Sequence, residues 1–131
     1  MTSGVLLFCH KRKDLHVLLV FNGNSWSIPK GGIESRESRR KTAIRELEEE
    51  TSIKAPARLD EIGYVDREPH ERLYCFVGYG SGKPKPADDA EIADFYPIHQ
   101  AMKMIAKYQL PLLEILYGLD QTGKSLVTYS K

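Results

Sequence analysis

The strongest structural signal in this chain is a helical segment at residues 38–51. Ala43, Ile44 and Leu47 recur at helical spacing, which predicts an apolar stripe that faces the core. Ser38 is a suitable N-cap, because its hydroxyl can accept a hydrogen bond from a free backbone N–H of the first turn. The segment therefore predicts one amphipathic helix packed against a hydrophobic layer.

Apolar segments of strand length lie on both sides of this helix and predict the other elements. The predicted strands are residues 4–10, 15–21, 59–67, 72–79 and 92–98, and the predicted later helices are residues 99–107 and 110–119. Residues 30–32 are predicted to form a loop, because paired glycines permit unusual backbone conformations. The order of strands, helix, strands and helices favours an α/β fold of the mixed α+β kind, in which helices cover a mixed sheet.

The composition predicts one soluble domain over residues 1–131. Hydrophobic residues make up 41% of the chain and charged residues 28%, which argues against disorder. The longest apolar runs, residues 5–9 and 17–21, are too short to cross a bilayer. A formal net charge of +1 predicts no general attraction to nucleic acid or membranes. We expect no membrane association and do not favour RNA as a partner.

The two cysteines, Cys9 and Cys75, both fall in predicted strands. They have no metal-ligand spacing, and two cysteines do not make a disulfide scaffold. The N-terminus also lacks the pattern of a secretory signal peptide. We therefore predict buried, reduced thiols and a cytoplasmic protein.

Three glutamates of the long helix carry the main chemical signal. Glu46, Glu49 and Glu50 stand at positions i, i+3 and i+4, which share one helix face. Like charges so placed repel one another, and a hard divalent cation bound between them would remove that repulsion. The alternative is an acidic, solvated helix face with no metal.

These glutamates belong to a longer pattern of residues at fixed offsets. The pattern spans residues 31–53 and comprises Gly31, Glu37, Arg45, Glu46, Leu47, Glu49, Glu50 and Ile53. It resembles the Nudix box, which has a second glycine where this chain has Ser52. The segments before and after it, residues 26–32 and 95–101, also look like those of Nudix proteins. The resemblance implies an α/β/α sandwich with a mixed, largely antiparallel central sheet.

The resemblance also implies roles for individual residues. Glu46, Glu49 and Glu50 match the glutamates that bind Mg²⁺, or alternatively Mn²⁺, and activate water. Arg45 joins them as a catalytic-site residue, and with Glu37 it matches a pair that braces the loop against the helix. The backbone carbonyl of Lys30, beside Gly31, would complete the metal site.

The identity of the general base is left open between two groups. It is either a glutamate of the box or an acid of the later loop, where Asp88, Asp89 and Glu91 are the candidates. The alternative for these three residues is an ordinary polar loop.

Ser52 and the first turn of the helix raise two smaller questions. A non-glycine residue at a left-handed helix end costs about 1 kcal/mol, so Ser52 predicts a local cost without loss of activity. Three cations, Arg39, Arg40 and Lys41, stand in the first turn. They predict a solvated basic patch, or alternatively Arg39 and Arg40, together with Lys30 and Arg36, attract a highly anionic substrate.

The sequence from Pro29 to Gly32 resembles the corresponding segment of diadenosine polyphosphate hydrolases. We therefore predict a small, anionic, nucleotide-type substrate, bound by Lys30, Gly31, Arg72 and Tyr74. The predicted reaction is Mg²⁺-dependent hydrolysis of a phosphoanhydride bond in a nucleoside-diphosphate-linked substrate, namely a dinucleoside polyphosphate such as diadenosine tetraphosphate.

Three alternatives remain at this point. Diphosphoinositol polyphosphates or the 5′-pyrophosphate end of RNA are alternative substrates, both favoured by the basic first turn. A catalytically inactive Nudix domain that senses a ligand is a different class of protein. An acidic-helix interaction protein without metal is another.

Overall fold

One mixed β-sheet and three helices make up residues 1–122, the part of the chain that the computed structural model describes. The strands are β1 (Thr2–Lys11), β2 (Asp14–Phe21), β3 (Trp26–Ser27), β4 (Lys30–Gly32), β5 (Asp60–Arg67), β6 (Glu71–Tyr79) and β7 (Ile92–Pro97). The helices are α1 (Arg39–Thr51), α2 (Ile98–Met104) and α3 (Leu110–Thr122), with a 3₁₀ turn at Lys107–Gln109 before α3.

The sheet is mixed and largely antiparallel, which confirms the predicted topology. Its main path is β3-β2-β1-β6-β5, while β4 pairs with β1 and β7 pairs with β2. Strands β1 and β6 are parallel, and the other strand pairings described are antiparallel. Strand β1 is therefore central, and both of its faces must be covered.

Alternate residues of β1 face two separate hydrophobic layers. Leu6 and Phe8 lie in the cluster that contains buried residues of α2 and α3. Val5 and Leu7 lie in the other cluster, with Ala43 of α1. Since successive side chains of a strand point to opposite faces, α1 covers one face and the later helices cover the other. This arrangement confirms the α/β/α sandwich.

The two ends of α1 have the predicted cap geometry. The hydroxyl of Ser38 accepts a hydrogen bond from the backbone N–H of Lys41 at 3.1 Å. Ser52 has a φ of 65°, in the left-handed region, and its N–H donates to Glu48 O at 2.8 Å. The serine hydroxyl also donates to Lys85 O at 3.2 Å. This bond helps to offset the cost of a non-glycine residue there.

Two local predictions were wrong. Ile44 is 37% exposed, because Ala43 and Leu47 occupy the centre of the buried stripe and Ile44 stands beyond its edge. Residues 30–32 form strand β4, not a loop, since their backbone pairs with that of β1. Backbone pairing there needs no strand-forming side chains, so the low β-propensity of glycine does not decide the outcome.

Both cysteines have the predicted burial. Cys9 and Cys75 are free and buried, as expected. Among residues 1–122, no helix is long and apolar enough to span a membrane. Helix α2 ends at Met104 and not at residue 107, because the following segment forms a 3₁₀ turn, whereas α3 begins at residue 110 as predicted and runs to Thr122.

Candidate active site

The pattern's first glycine lies directly against one of its glutamates. Strand β4 crosses the start of β1, which brings Gly31 opposite Ser3 and towards α1. A Cβ atom built on Gly31 would lie 1.9 Å from Glu46 Oε2. Glycine is therefore required here for close approach, and any side chain at position 31 would displace the Glu46 carboxylate.

Glu50 is the most buried of the three helical glutamates. It is 9% exposed, and its Oε1 accepts a hydrogen bond from the backbone N–H of Lys30 at 3.0 Å. Burial raises its pKa to about 7, and the nearby carboxylates of Glu46 and Asp89 add to the effect. The Lys30 backbone hydrogen bond and ammonium charge act in the opposite direction. Glu50 is thus an acid with a high desolvation cost when ionised.

Glu46 also has a raised pKa, first because of burial and then because of the neighbouring Glu49 carboxyl. The positive charge of Arg45 opposes this shift. The side chain of Glu46 is 14% exposed, whereas that of Glu49 is 43% exposed. The exposure of the three glutamates therefore increases in the order Glu50, Glu46, Glu49.

Arg45 links these glutamates to the loop before the helix. Its Nε donates to Glu37 Oε2 at 2.7 Å, and its Nη2 donates to Gly32 O at 3.1 Å. Its Nη1 donates to Glu46 and Glu49 at 2.7 and 2.9 Å. Through these contacts Arg45 holds strand β4 and the loop before the helix against α1, as predicted for a bracing residue.

Glu37 is the anionic partner in this brace. Besides Arg45, its carboxylate accepts hydrogen bonds from the Thr42 hydroxyl at 2.7 Å and the Glu34 backbone N–H at 3.1 Å. The Arg45 and Thr42 hydrogen bonds lower the pKa of Glu37 to about 2. Glu37 therefore stays ionised at all ordinary pH values and is unsuited to proton transfer.

The donor chemistry of the three glutamates fits a divalent cation. Within residues 1–122, no group of three or more His, Cys, Asp or Glu side chains converges on one point that could hold a metal. Mg²⁺, however, usually takes only one or two carboxylates and completes its shell with water and substrate phosphates. Glu50, buried and with a raised pKa, suits that kind of site together with one further glutamate of the same helix face, because a cation would favour the ionised form of Glu50.

A cavity of about 490 Å³ lies beside these glutamates. We call near end the lining residues beside the glutamates, which are Lys30, Gly31, Glu46, Glu50 and Asp89. We call far end the lining residues from the end of β5 and the segment before α3, which are Arg67, Ala106, Tyr108 and Gln109. The volume is in the usual range for small-molecule sites, and the lining is rich in polar groups.

Of the three later acids, the cavity lining includes only Asp89. Glu91 lies against the backbone of Gly23, and its own N–H donates to Phe21 O at 2.7 Å. Asp88 is exposed, with a φ of 53°. Asp89 is therefore the candidate among these acids that lies nearest to the chemistry.

Arg72 and Tyr74 lie outside the cavity lining. Arg72 forms an ion pair with Asp66 at 2.8 Å, and its guanidinium lies 3.7 Å from the centroid of the Tyr64 ring. The Arg39 guanidinium lies over the Tyr74 ring, 4.4 Å from its centroid. Their role in substrate binding stays a prediction, and the structure gives both residues partners on the surface of the sheet.

The basic first turn of α1 is similarly engaged with the sheet. Arg39 forms an ion pair with Glu61 at 2.9 Å, and Arg40 lies over the Phe76 ring at 5.3 Å. These contacts orient both guanidinium groups towards β5 and β6.

The residues of the far end were not predicted from the sequence. Arg67 ends β5, while Tyr108 and Gln109 lie in the 3₁₀ turn before α3. These residues carry no local motif, and only the tertiary fold brings them together. The sequence signal for this end was Gln109, a polar residue between two apolar helical segments.

A family model described as NUDIX domain matches residues 2–116. The protein of Mycobacterium tuberculosis named as mutator protein MutT4 is 32% identical over 90 residues, which are 62% of this chain and 36% of that protein. The chain therefore spans about a third of the length of this curated relative.

Solved structures share the fold at low sequence identity. The NUDIX domain of Shewanella oneidensis NrtR, complexed with ADP-ribose, has a TM-score of 0.75 and 23% identity, covering 86% of this chain and 82% of that chain. An Ap4A hydrolase of C. elegans has a TM-score of 0.77 and 16% identity, covering 93% of this chain and 99% of that chain.

Proposed function

The chain belongs to the NUDIX family of hydrolases, and from that premise we propose that it cleaves a phosphoanhydride bond in a dinucleoside polyphosphate such as diadenosine tetraphosphate. The observation that carries this proposal is the pair of carboxyls, Glu46 and Glu50, at one end of a polar cavity. Mg²⁺ is the proposed metal.

We propose that Glu49 and Glu50 hold the cation, with the backbone carbonyl of Lys30 as a further ligand. When bound, a divalent cation neutralises the diphosphate and lowers the pKa of a water molecule. Lys30 lines the same cavity, and in this proposal its ammonium group binds a substrate phosphate.

Glu46 is the proposed general base. Its raised pKa brings its proton affinity closer to neutral pH, where a general base works best. Glu46 takes a proton from the attacking water as the water oxygen bonds to phosphorus. The anhydride P–O bond breaks at the same time, and a phosphate-bearing group leaves. Arg45 holds the Glu46 carboxylate in place by its hydrogen bond at 2.7 Å.

The choice of a nucleotide-type substrate rests on the cavity and on the fold neighbours. Glu46 and Glu50 at the near end and Arg67 at the far end line the same cavity, which suits an extended polyphosphate with a bound cation. The neighbours complexed with ADP-ribose or named as an Ap4A hydrolase support the same class. The alternatives of inositol pyrophosphates and RNA ends rested on the basic first turn, whose Arg39 already has Glu61 and Tyr74 as partners.

A substrate panel tests the proposed reaction directly. We expect Mg²⁺-dependent hydrolysis to be fastest with diadenosine tetraphosphate, compared with nucleoside triphosphates, nucleotide sugars, triphosphorylated RNA and inositol pyrophosphates. Products are identified by mass spectrometry, and hydrolysis in H₂¹⁸O shows which phosphorus is attacked. Faster turnover of another class would overturn the substrate, and no turnover of any class would overturn the activity.

A sensing module or an acidic-helix interaction protein would behave differently in the same assay. The sensing module would bind nucleotides without hydrolysing them. The interaction protein would show no rise in melting temperature with Mg²⁺ or Mn²⁺, whereas a metal site stabilises the folded state by mass action.

The contact between Gly31 and Glu46 gives a sharper test of the site. In Gly31→Ala, the new methyl group must displace the Glu46 carboxylate, since the Cβ would lie 1.9 Å from Oε2. We expect kcat to fall about a hundred-fold, as misplacement of a catalytic group by about 1 Å can do. The melting temperature should change little, because the end of a glutamate side chain can move easily.

Gly32→Ala is the matched control, because a Cβ atom at Gly32 would meet nothing within 4 Å. We expect its kcat to remain at the wild-type level. Equal activity of both alanine variants, measured with the same substrate, would contradict the assigned role of Glu46.

A further inference from the structure

The far end of the cavity contains an arginine whose charge is available to a ligand. Arg67 lines the cavity, and its guanidinium lies 5.4 Å from the centroid of the Tyr108 ring. No ion pair found within residues 1–122 involves Arg67. Among the described residues its charge-assisted hydrogen bonds are therefore free for an anion, whereas Arg72, on the opposite face of the sheet, is paired with Asp66.

A buried glutamine fixes the position of this end. Gln109 is fully buried, and its Nε2 donates to the Tyr108 hydroxyl at 2.8 Å and to Ser27 Oγ at 2.9 Å. Its Oε1 accepts the backbone N–H of Ile28 at 3.0 Å. Every polar atom of this side chain is thereby used, as expected of a buried amide.

The same glutamine connects the two ends of the cavity. Ile28 stands two residues before Lys30, and the Lys30 N–H donates to Glu50. The segment that holds Glu50 is thus tied through one amide group to the ring of Tyr108. This connection fixes the spacing between the far end and the glutamates, which is what an extended substrate requires.

Resting on the proposed function, we propose that Arg67 and Tyr108 form a subsite for the second nucleotide group of the substrate, beyond the scissile anhydride. The guanidinium of Arg67 binds a phosphate of this group through its planar set of donors. The ring of Tyr108 supplies an aromatic surface for the nucleoside. Gln109 is the positioning residue. The subsite makes recognition asymmetric, because one nucleotide group occupies the cavity at Arg67.

Steady-state kinetics with diadenosine tetraphosphate and Mg²⁺ test the subsite in the full chain. For Arg67→Gln we expect KM to rise about ten- to a hundred-fold, the effect of losing a hydrogen bond to a charged group, with little change in kcat. Tyr108→Leu should also raise KM, while Tyr108→Phe keeps the ring and should have the smaller effect. Arg58→Gln is the matched control, because Arg58 pairs with Asp60 outside the cavity and should leave KM unchanged.

Calorimetric titration with ADP separates this proposal from the proposed function. If the wild-type chain hydrolyses diadenosine tetraphosphate and Arg67→Gln leaves KM unchanged, the subsite is wrong and the function stands. If the wild-type chain hydrolyses no compound, the function fails and ADP binding decides the subsite. Weaker ADP binding by Arg67→Gln, but not by Arg58→Gln, then supports the subsite, and equal binding by both variants or no ADP binding overturns it.

Discussion

Replacing Glu50 with glutamine is expected to lower kcat about a thousand-fold, because the loss of about 4 kcal/mol of transition-state stabilisation has that effect. A metal ligand in a phosphoryl-transfer site contributes on this scale. The amide oxygen of the new side chain would still accept the hydrogen bond that the Lys30 N–H donates to Glu50 Oε1, so the backbone of β4 should keep its position. The loss would therefore report the missing negative charge.

The same substitution should stabilise the protein when metal is removed. The pKa of Glu50 is raised from 4.5 to about 7, mainly by burial. A raised pKa means that its stabilising contribution is complete below about pH 4.5 and is lost as the pH rises through about 7. A glutamine side chain does not ionise, so its contribution to the free energy of unfolding does not fall as the pH rises. The stability advantage of the variant should thus grow with pH, up to about 3 kcal/mol.

Urea denaturation in a chelating buffer, at about pH 5 and about pH 8, measures this difference. Glu48→Gln is the matched control, because Glu48 lies on the same helix and is exposed. The control should keep wild-type activity and show no pH-dependent gain. Full turnover by Glu50→Gln with Mg²⁺ would contradict the metal assignment, and a stability advantage independent of pH would contradict the burial argument.

The sequence predicted those parts of the site that depend on short-range spacing. Arg45 and Glu37 meet because the helix and its preceding loop are close in the chain, so fixed offsets become fixed distances. The sandwich could also be predicted, since β1 and β2 are apolar on both faces and must be covered twice.

Helical periodicity alone could not rank the three glutamates. It placed Glu46, Glu49 and Glu50 on one face, yet Glu50 is buried and Glu49 is largely exposed. Glu50 follows Leu47 by three residues and so extends the buried stripe, whereas Glu49 stands to one side of it. The cover that buries Glu50 comes from β4, a strand that the glycine-rich sequence did not predict.

The far end of the cavity depends on contacts between distant segments. Gln109 bonds to Ser27 and Ile28, more than 80 residues earlier in the chain. Arg67 reaches Tyr108 from the end of β5. Spacing rules cannot reveal such groups, because the packing of the later helices against the sheet decides which side chains meet.

A comparison of Glu46→Gln with Asp89→Asn should identify the general base that the sequence left open. Both residues line the cavity, but Asp89 is exposed, while Glu46 is half-buried and held by Arg45. Because a positioned general base contributes about 10²- to 10⁴-fold, we expect kcat to fall about a thousand-fold in Glu46→Gln. Asp89→Asn should lose less than about tenfold, as expected for an electrostatic contribution at the cavity rim.

The pH dependence of kcat separates loss of the base from loss of metal binding. In Asp89→Asn the acidic limb of the wild-type profile should persist, because Glu46 still has to be ionised to accept a proton. In Glu46→Gln, measured at saturating Mg²⁺ so that the bound cation keeps Glu50 ionised, that limb should disappear and the rate should stay low. The reverse result, with Asp89→Asn nearly inactive and Glu46→Gln nearly normal, would move the base to the later loop. Glu46 would then act mainly through its hydrogen bond with Arg45, so the Glu37–Arg45 brace would position the carboxylates without any of its partners taking the proton.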